Sequence, residues 1–199
     1  VVPFVLSLVF RKIGFLTKTE DDLKASEQSQ VQAVIEAKKD AEAPAGTVVT
    51  VKSPLSAVAK PLSESPDPVF SQGVMGQGIV IEPDIGELVA PIDGVVSVLF
   101  PSKHAVGLIS DEGIELLMHI GMDTVSLDGK GFTAEVKQGD RVSAGDVLIR
   151  FDIQTIQEAG YPVTTPVIVT NQNDFQTDVT RALPCDIAHG ETIFTASKL

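Results

Sequence analysis

The chain has 199 residues, a mass of 21.1 kDa and 43% hydrophobic residues, which is enough for one substantial core and an accessory segment. Its formal net charge of -12 argues against a nucleic-acid partner, because binding to phosphates depends on clusters of Lys and Arg. The single cysteine, Cys185, excludes a disulfide within the chain and suits a reducing compartment.

The first stretch, residues 1–16, is almost wholly apolar up to Phe10 and continues with Arg11 and Lys12. About ten mostly apolar residues are too few to cross a bilayer, which needs about 20. We interpret this stretch as the end of a membrane span whose start is missing, with the basic pair on the cytoplasmic side. A short helix that packs on the domain, or a disordered segment, is the alternative.

The next stretch, residues 17–47, is rich in Glu, Asp, Lys, Gln, Ser and Ala and has few large apolar side chains. Such a composition cannot bury much surface, and Pro44 and Gly46 would end any helix. We therefore predict a flexible or partly helical linker over 17–47, followed by a folded domain over 48–199.

The domain reads as all-β, because short runs rich in Val and Ile alternate with Gly, Pro, Asp and Asn. This pattern predicts an antiparallel β-sandwich or barrel, with one short helix over 153–159. The glycine turns within 87–94 and 136–146 resemble those of the barrel-sandwich hybrid in lipoyl and biotinyl carrier domains. The predicted strands are 47–51, 78–81, 94–100, 104–109, 114–120, 147–151 and 167–170.

Two of the three histidines, His104 and His119, flank a hairpin signal at Ser110–Gly113. A two- or four-residue loop would place His104 directly opposite His119, with Cβ atoms about 4.5 to 5.5 Å apart. A three-residue loop with a glycine bulge would shift the register by one residue and turn the rings to opposite faces, unless another bulge corrected it. The sequence leaves both registers open.

Residue parity gives a further indication about the surroundings of these rings. Phe100, Ser102 and His104 share one face of their segment, and Leu117 and His119 share one face of theirs. The combination predicts an apolar rim around two imidazoles. A neutral imidazole nitrogen is a nucleophile near neutral pH, and the N–P bond it forms is easily broken again, which suits a phosphoryl relay.

Several motifs resemble the glucose-type enzyme IIA family of the sugar phosphotransferase system (PTS). They include Pro-Ile-Asp-Gly-Val-Val at 91–96, Lys-His-Ala at 103–105 and Leu-Met-His-Ile-Gly-Met-Asp at 117–123. The resemblance continues through Leu-Asp-Gly-Lys-Gly-Phe at 127–132 and Thr-Pro-Val at 165–167. Upstream it reaches Ser-Pro-Leu at 53–55 and Pro-Asp-Pro-Val-Phe at 66–70, so that it covers roughly residues 48–199.

The resemblance implies a duplicated hybrid-motif fold and a role for each residue of the site. His119 would accept a phosphoryl group from the histidine carrier protein HPr and pass it to an enzyme IIB, while His104 stabilises the phosphoryl group. Ser102, where the family usually has threonine, would orient His104. Asp123 would adjust the electrostatics of the pocket or cap a turn. Phe100, Leu117 and Val125 would contact the partners, and no cofactor is implied.

The order of span, linker and IIA resembles transporters that fuse IIB, IIC and IIA in one polypeptide. The resemblance thus implies a cytoplasmic domain of a bacterial membrane transporter, with a membrane IIC domain and a IIB acceptor in the same polypeptide. The domain would act as one component of a phosphotransferase and would not turn over free sugar alone. The name glucose-type describes the IIA family and not the transported sugar.

Three other interpretations remain open at this point. A similar domain regulates sugar permeases outside the phosphotransferase system, and the biotinyl and lipoyl carriers share the fold type but attach their cofactor to a lysine motif that this sequence lacks. A zinc peptidase of related fold would need a His-x-His pair, which is also missing. Zinc held by His104 and His119 with a third ligand from a partner is a secondary hypothesis.

Overall fold

The computed structural model describes residues 43–199, so the predicted membrane segment 1–16 and the linker up to residue 42 lie outside the described residues. Within the described part, no helix is both long and apolar enough to cross a membrane. The same part contains fourteen strands and two short α-helices. They are β1 Val48–Lys52, β2 Ala57–Pro61, α1 Pro68–Ser71, β3 Gln77–Pro83, β4 Glu87–Val89, β5 Gly94–Leu99, β6 Ala105–Ser110, β7 Glu115–His119, β8 Phe132–Ala134, β9 Arg141–Val142, β10 Val147–Phe151, α2 Ile153–Glu158, β11 Thr165–Val169, β12 Phe175–Val179, β13 Cys185–Ile187 and β14 Thr192–Lys198.

The strands form three antiparallel sheets, as the all-β prediction requires. The largest has eight strands in the order β13-β2-β3-β11-β7-β6-β5-β9. Two three-stranded sheets, β1-β14-β12 and β4-β10-β8, complete the domain. The two glycine turns that look alike in the sequence meet in the fold, since the Gly145 amide donates to the Ala90 carbonyl and the Ala144 amide to the Asp93 carboxylate.

The eight-stranded sheet is apolar on both of its faces at its centre. In β11 all five residues are buried, and successive side chains enter different clusters: Val167 joins the main core, whereas Ile168 joins a second cluster on the other face. β7 repeats the pattern with Met118 in the main core and Leu117 in the second cluster. The second cluster contains Leu62, Phe70, Val80, Phe100, Ala105, Leu117, Met122 and Ile168.

The close approach of neighbouring strands explains one of the glycines. A Cβ on Gly78 in β3 would lie 2.0 Å from the carbonyl oxygen of Val167 in β11. No side chain fits there without moving a strand that runs beside β7 in the same sheet.

Each predicted strand overlaps an observed one, and α2 confirms the helix expected over 153–159. The predicted elements do not include α1, the short strands β2, β4, β8 and β9, or the three C-terminal strands. These elements lack the runs of Val and Ile on which the prediction relied.

The hairpin between β6 and β7 has the three-residue loop, so the register with His104 directly opposite His119 is wrong. The Ser110 amide donates to the Ile114 carbonyl and the Gly113 amide to the Ser110 carbonyl, while Gly113 has a φ of +87°. This is the glycine-bulge connection. Ala105 is consequently the residue that pairs with His119.

Candidate functional site

The two imidazoles meet although the register alone would separate them. Their ring centroids are 4.8 Å apart, and the planes make an angle of 78°. The strand alternation stops at this point, because His104 precedes β6 and His119 is the last residue of β7. Lys103, with a φ of +57°, lies in the left-handed region and redirects the chain just before His104. A turn outside the ladder, rather than a second bulge within it, therefore brings the rings together.

His104 is buried, with 0% of its surface exposed. Its Nδ1 is 2.6 Å from the hydroxyl of Ser102, and the ring of Phe100 stands edge-on at 5.4 Å. Its Nε2 has no hydrogen-bond partner. Burial, followed by the charge of the neighbouring His119, lowers the pKa of His104 to about 3, so that the ring is neutral at physiological pH.

His119 is half-buried, and its Nδ1 lies 2.7 Å from the carbonyl oxygen of Gly121. A carbonyl can only accept, so Nδ1 carries the proton in the neutral ring and Nε2 keeps a free lone pair. Burial lowers the pKa of His119, although the bond to Gly121 works in the opposite direction. The ring is therefore an available nucleophile near neutral pH.

Two carboxylates act on His119 from different loops. The charges of Asp67 and Asp123 both raise its pKa and offset part of the effect of burial. Asp123 precedes the 3-10 turn Thr124–Leu127 with a φ of +57°, and its side chain makes no capping hydrogen bond. The geometry thus does not support a capping role for Asp123, whereas its charge reaches His119.

An apolar rim surrounds the two rings and is formed by the second cluster. Phe100 and Leu117, which were expected to contact partners, both belong to it. Phe70 from α1 is also a member, with its ring centroid 5.4 Å from that of His119. Val125, the third expected contact residue, lies outside this cluster in the 3-10 turn.

Phe70 and Asp67 were not predicted as site residues, although the sequence contains a signal for their position. Asp67 accepts a hydrogen bond from the Val69 amide at 2.7 Å, and Pro68 occupies the first turn of α1. Asp followed by Pro is typical of a helix start. A helix predicted from this pair would have turned Phe70 toward the sheet.

The third histidine lies elsewhere. His189 is held by the hydroxyl of Ser56 at 3.1 Å and by the carbonyl oxygen of Glu87 at 3.0 Å, and it has a structural role. Among residues 43–199, no group of three or more His, Cys, Asp or Glu side chains is arranged to hold a metal ion. The site therefore consists of one nucleophilic nitrogen, one unpartnered ring nitrogen beside it and an apolar rim with two carboxylates.

Comparison with known proteins agrees with this arrangement. The sequence model of one family, described as phosphoenolpyruvate-dependent sugar phosphotransferase system, EIIA 1, matches residues 49–175. The chain is 52% identical over 130 residues to the PTS system beta-glucoside-specific EIIBCA component of Bacillus subtilis (strain 168); the match covers 65% of this chain and 21% of that relative. The chain thus spans about a fifth of the length of this curated relative.

Among solved structures, glucose permease IIA from Mycoplasma capricolum superimposes with a TM-score of 0.70 at 32% identity, covering 75% of this chain and 96% of that one. The carrier-domain and regulatory alternatives find no support in these matches. The family match, the relative and the shared β fold together show that the chain belongs to the EIIA 1 family of the sugar phosphotransferase system, the glucose type of enzyme IIA.

Proposed function

We propose that this chain is a phosphohistidine carrier of a phosphoenolpyruvate-dependent sugar transport system, with His119 as the acceptor and HPr as the donor. One observation carries the proposal. The Nδ1 proton of His119 is held by Gly121, which leaves Nε2 as the nucleophile, and the buried Nε2 of His104 stands beside it without a partner. An unpartnered buried donor next to a nucleophile suits stabilisation of a group that arrives during the reaction.

The transfer step follows from these positions. The lone pair on Nε2 of His119 attacks the phosphorus of the phosphohistidine on the donor, and the donor's N–P bond breaks with its electron pair returning to the donor ring. The phosphorylated ring keeps its Nδ1 proton and carries a positive charge, which the Gly121 carbonyl stabilises. The Ser102 hydroxyl lies 2.6 Å from Nδ1 of His104, and we assign it as the donor, which leaves the proton of the neutral ring on Nε2 for a phosphoryl oxygen.

The surrounding charges keep the phosphoryl group transferable. Because burial holds the pKa of His104 at about 3, this ring offers a hydrogen bond without a full positive charge. Asp67 and Asp123 add negative charge near His119, which opposes tight retention of a dianion. We assign Ser102 the orientation of His104, and Asp123 the electrostatic role.

Donor and acceptor dock over the apolar rim in this proposal. Phe70, Phe100 and Leu117 are themselves buried and form the apolar support of the half-buried His119 ring, from which a bound partner excludes water. Val125 extends this surface along the 3-10 turn. The acceptor is a IIB domain, as in the EIIBCA architecture named for the Bacillus relative, and a IIC domain in the same polypeptide anchors the relay to the cytoplasmic face of the membrane.

The acceptor assignment is tested by labelling. Incubation with phosphoenolpyruvate, enzyme I and HPr should place one acid-labile, base-stable phosphoryl group on the chain, and His119→Ala should abolish it. His189→Ala is the matched control, because it removes a histidine whose ring is occupied by Ser56 and Glu87. Labelling that survives His119→Ala would refute the site.

The supporting role of His104 has its own test. His104→Gln should still accept a phosphoryl group at a reduced level, whereas transfer onward to a IIB domain should be impaired, because the transferred group loses its buried donor. Accumulation and discharge of the phosphoprotein are measured separately in a single-turnover assay. Normal discharge by this variant would remove His104 from the mechanism.

A further inference from the structure

The Gly121 carbonyl decides which nitrogen of His119 is nucleophilic, so whatever positions that carbonyl acts on the reaction. Gly121 lies two residues after the end of β7 and has a φ of +71°, a conformation that glycine adopts without strain. Its carbonyl points at Nδ1 of His119 at 2.7 Å. Nothing in the regular hydrogen bonding of β7 secures this orientation, because the strand has already ended at His119.

Thr124 closes the loop on which Gly121 lies. It is buried, with 0% exposed, and its hydroxyl donates to the carbonyl of Ile120 at 2.6 Å. Its Cγ2 methyl packs against Gly121, since a Cβ built on that glycine would lie 2.6 Å from it. Thr124 thus makes a polar contact on one side of Gly121 and an apolar contact with Gly121 itself.

Pro162, in the connection between α2 and β11, contacts the same loop from another part of the chain. Its carbonyl accepts from the Met122 amide at 3.1 Å and would lie 2.7 Å from a Cβ on Gly121. On the other side, the Ile120 amide donates to the His104 carbonyl at 2.7 Å. The residues before and after Gly121 are thus both fixed, and Thr124 is the only side chain in 120–124 for which the described residues show a hydrogen bond to this loop's backbone.

We propose that Thr124 is a positioning residue for His119: its buried hydroxyl holds the loop that keeps the Gly121 carbonyl on Nδ1 and thereby keeps Nε2 as the nucleophile. This inference rests on the proposed function of His119. Thr124 touches neither the phosphoryl group nor a partner and acts through Gly121 alone. Loss of its hydroxyl leaves the Ile120 carbonyl without this partner, loosens the loop and populates the tautomer with the proton on Nε2.

The test compares Thr124→Val with Thr124→Ser. Valine keeps the volume and removes the donor, whereas serine keeps the donor and removes the methyl group. The nitrogen-15 chemical shifts of the His119 ring report the tautomer above its pKa, and single-turnover labelling from phosphorylated HPr reports acceptance. We expect Thr124→Val to mix the two tautomers and to slow acceptance about 2- to 10-fold, the factor given by one ordinary hydrogen bond, with Thr124→Ser restoring the wild-type tautomer.

Ser53→Ala is the matched control, because Ser53 is equally buried and donates to the carbonyl of Leu55, also at 2.6 Å, in the connection between β1 and β2. It should change neither the His119 shifts nor the rate. If Thr124→Val does not fold, Thr124→Cys weakens the donor at similar volume and is judged by the same measurements. A folded variant without the hydroxyl that keeps both tautomer and rate overturns the inference. Failure of the wild-type protein to label at His119 overturns instead the proposed function on which it rests.

Discussion

Acid should destabilise the fold through His104, and replacement of this residue should remove much of the effect. The ring is buried and neutral, and its pKa falls from an ordinary value of 6.5 to about 3. Below pH 6.5 the unfolded chain takes up a proton at this position that the folded chain refuses. The contribution to stability is therefore complete above pH 6.5 and is lost progressively as the pH falls toward 3.

The magnitude follows from the two pKa values. One pKa unit corresponds to about 1.4 kcal/mol. The lowered pKa of His104 therefore reduces the free energy of unfolding by about 2 kcal/mol at pH 5 relative to pH 8. His119 adds a loss of the same sign, because burial lowers its pKa as well. Urea unfolding of the wild-type chain and of His104→Gln at pH 8, 6 and 5 isolates the His104 part. The variant should lose about 2 kcal/mol less than the wild type between the extremes.

Ser102→Ala is the control for this experiment. It removes the hydroxyl that bonds Nδ1 of His104 but leaves the ring buried, and burial is the larger cause of the shift. Ser102→Ala should thus retain the acid sensitivity of the wild type. Equal losses in the wild type and in His104→Gln would refute the assignment of a buried, neutral imidazole.

Three further changes have expected outcomes. Asp123→Asn should lower the pKa of His119 further, because it removes a charge that raises it, and an NMR titration of the ring would show an unchanged or higher pKa if the reasoning is wrong. Phe70→Ala should cost about 3 kcal/mol in urea unfolding and weaken docking of HPr, and unaltered donor affinity would show that Phe70 does not contribute to docking. Gly78→Ala should lower the free energy of unfolding by about 2 to 3 kcal/mol, since its Cβ would meet the Val167 carbonyl. Gly190→Ala has open space around it and should lose only about 1 kcal/mol, because of the positive φ at this position. Equal losses would contradict the close-approach argument.

The strands of the domain differ in how well sequence patterns predict them. β11 and the centre of β7 are buried on both faces, and such strands appear in the sequence as continuous apolar runs that are easy to find. β12 consists mainly of exposed or half-buried residues such as Gln176 and carries only one large buried side chain, Phe175. Strands of that kind look like loops in a sequence, because tertiary pairing with β14 rather than local preference makes them extended.

For the site, motif resemblance indicated the histidines, but local geometry decided how they meet. Counting residues across the hairpin assumed that alternation continues to His104, whereas the ladder ends one residue later in the chain, at Ala105. Lys103 has a φ of +57°, and residue propensities would not predict this left-handed conformation for a lysine. Long-range contacts with Asp67 and Phe70 depend on how α1 packs on the sheet, which no local pattern specifies.

The small sheet β1-β14-β12 determines how the folded domain responds to a force applied at β1. β1 pairs only with β14 in this sheet, and the Gly46 amide donates to the Lys198 carbonyl at its margin. Both histidines belong to a different sheet, because His104 immediately precedes β6 and His119 ends β7 in the eight-stranded sheet. Force applied at the start of β1 is therefore taken up by the β1–β14 hydrogen bonds before it reaches the sheet that carries the two imidazoles.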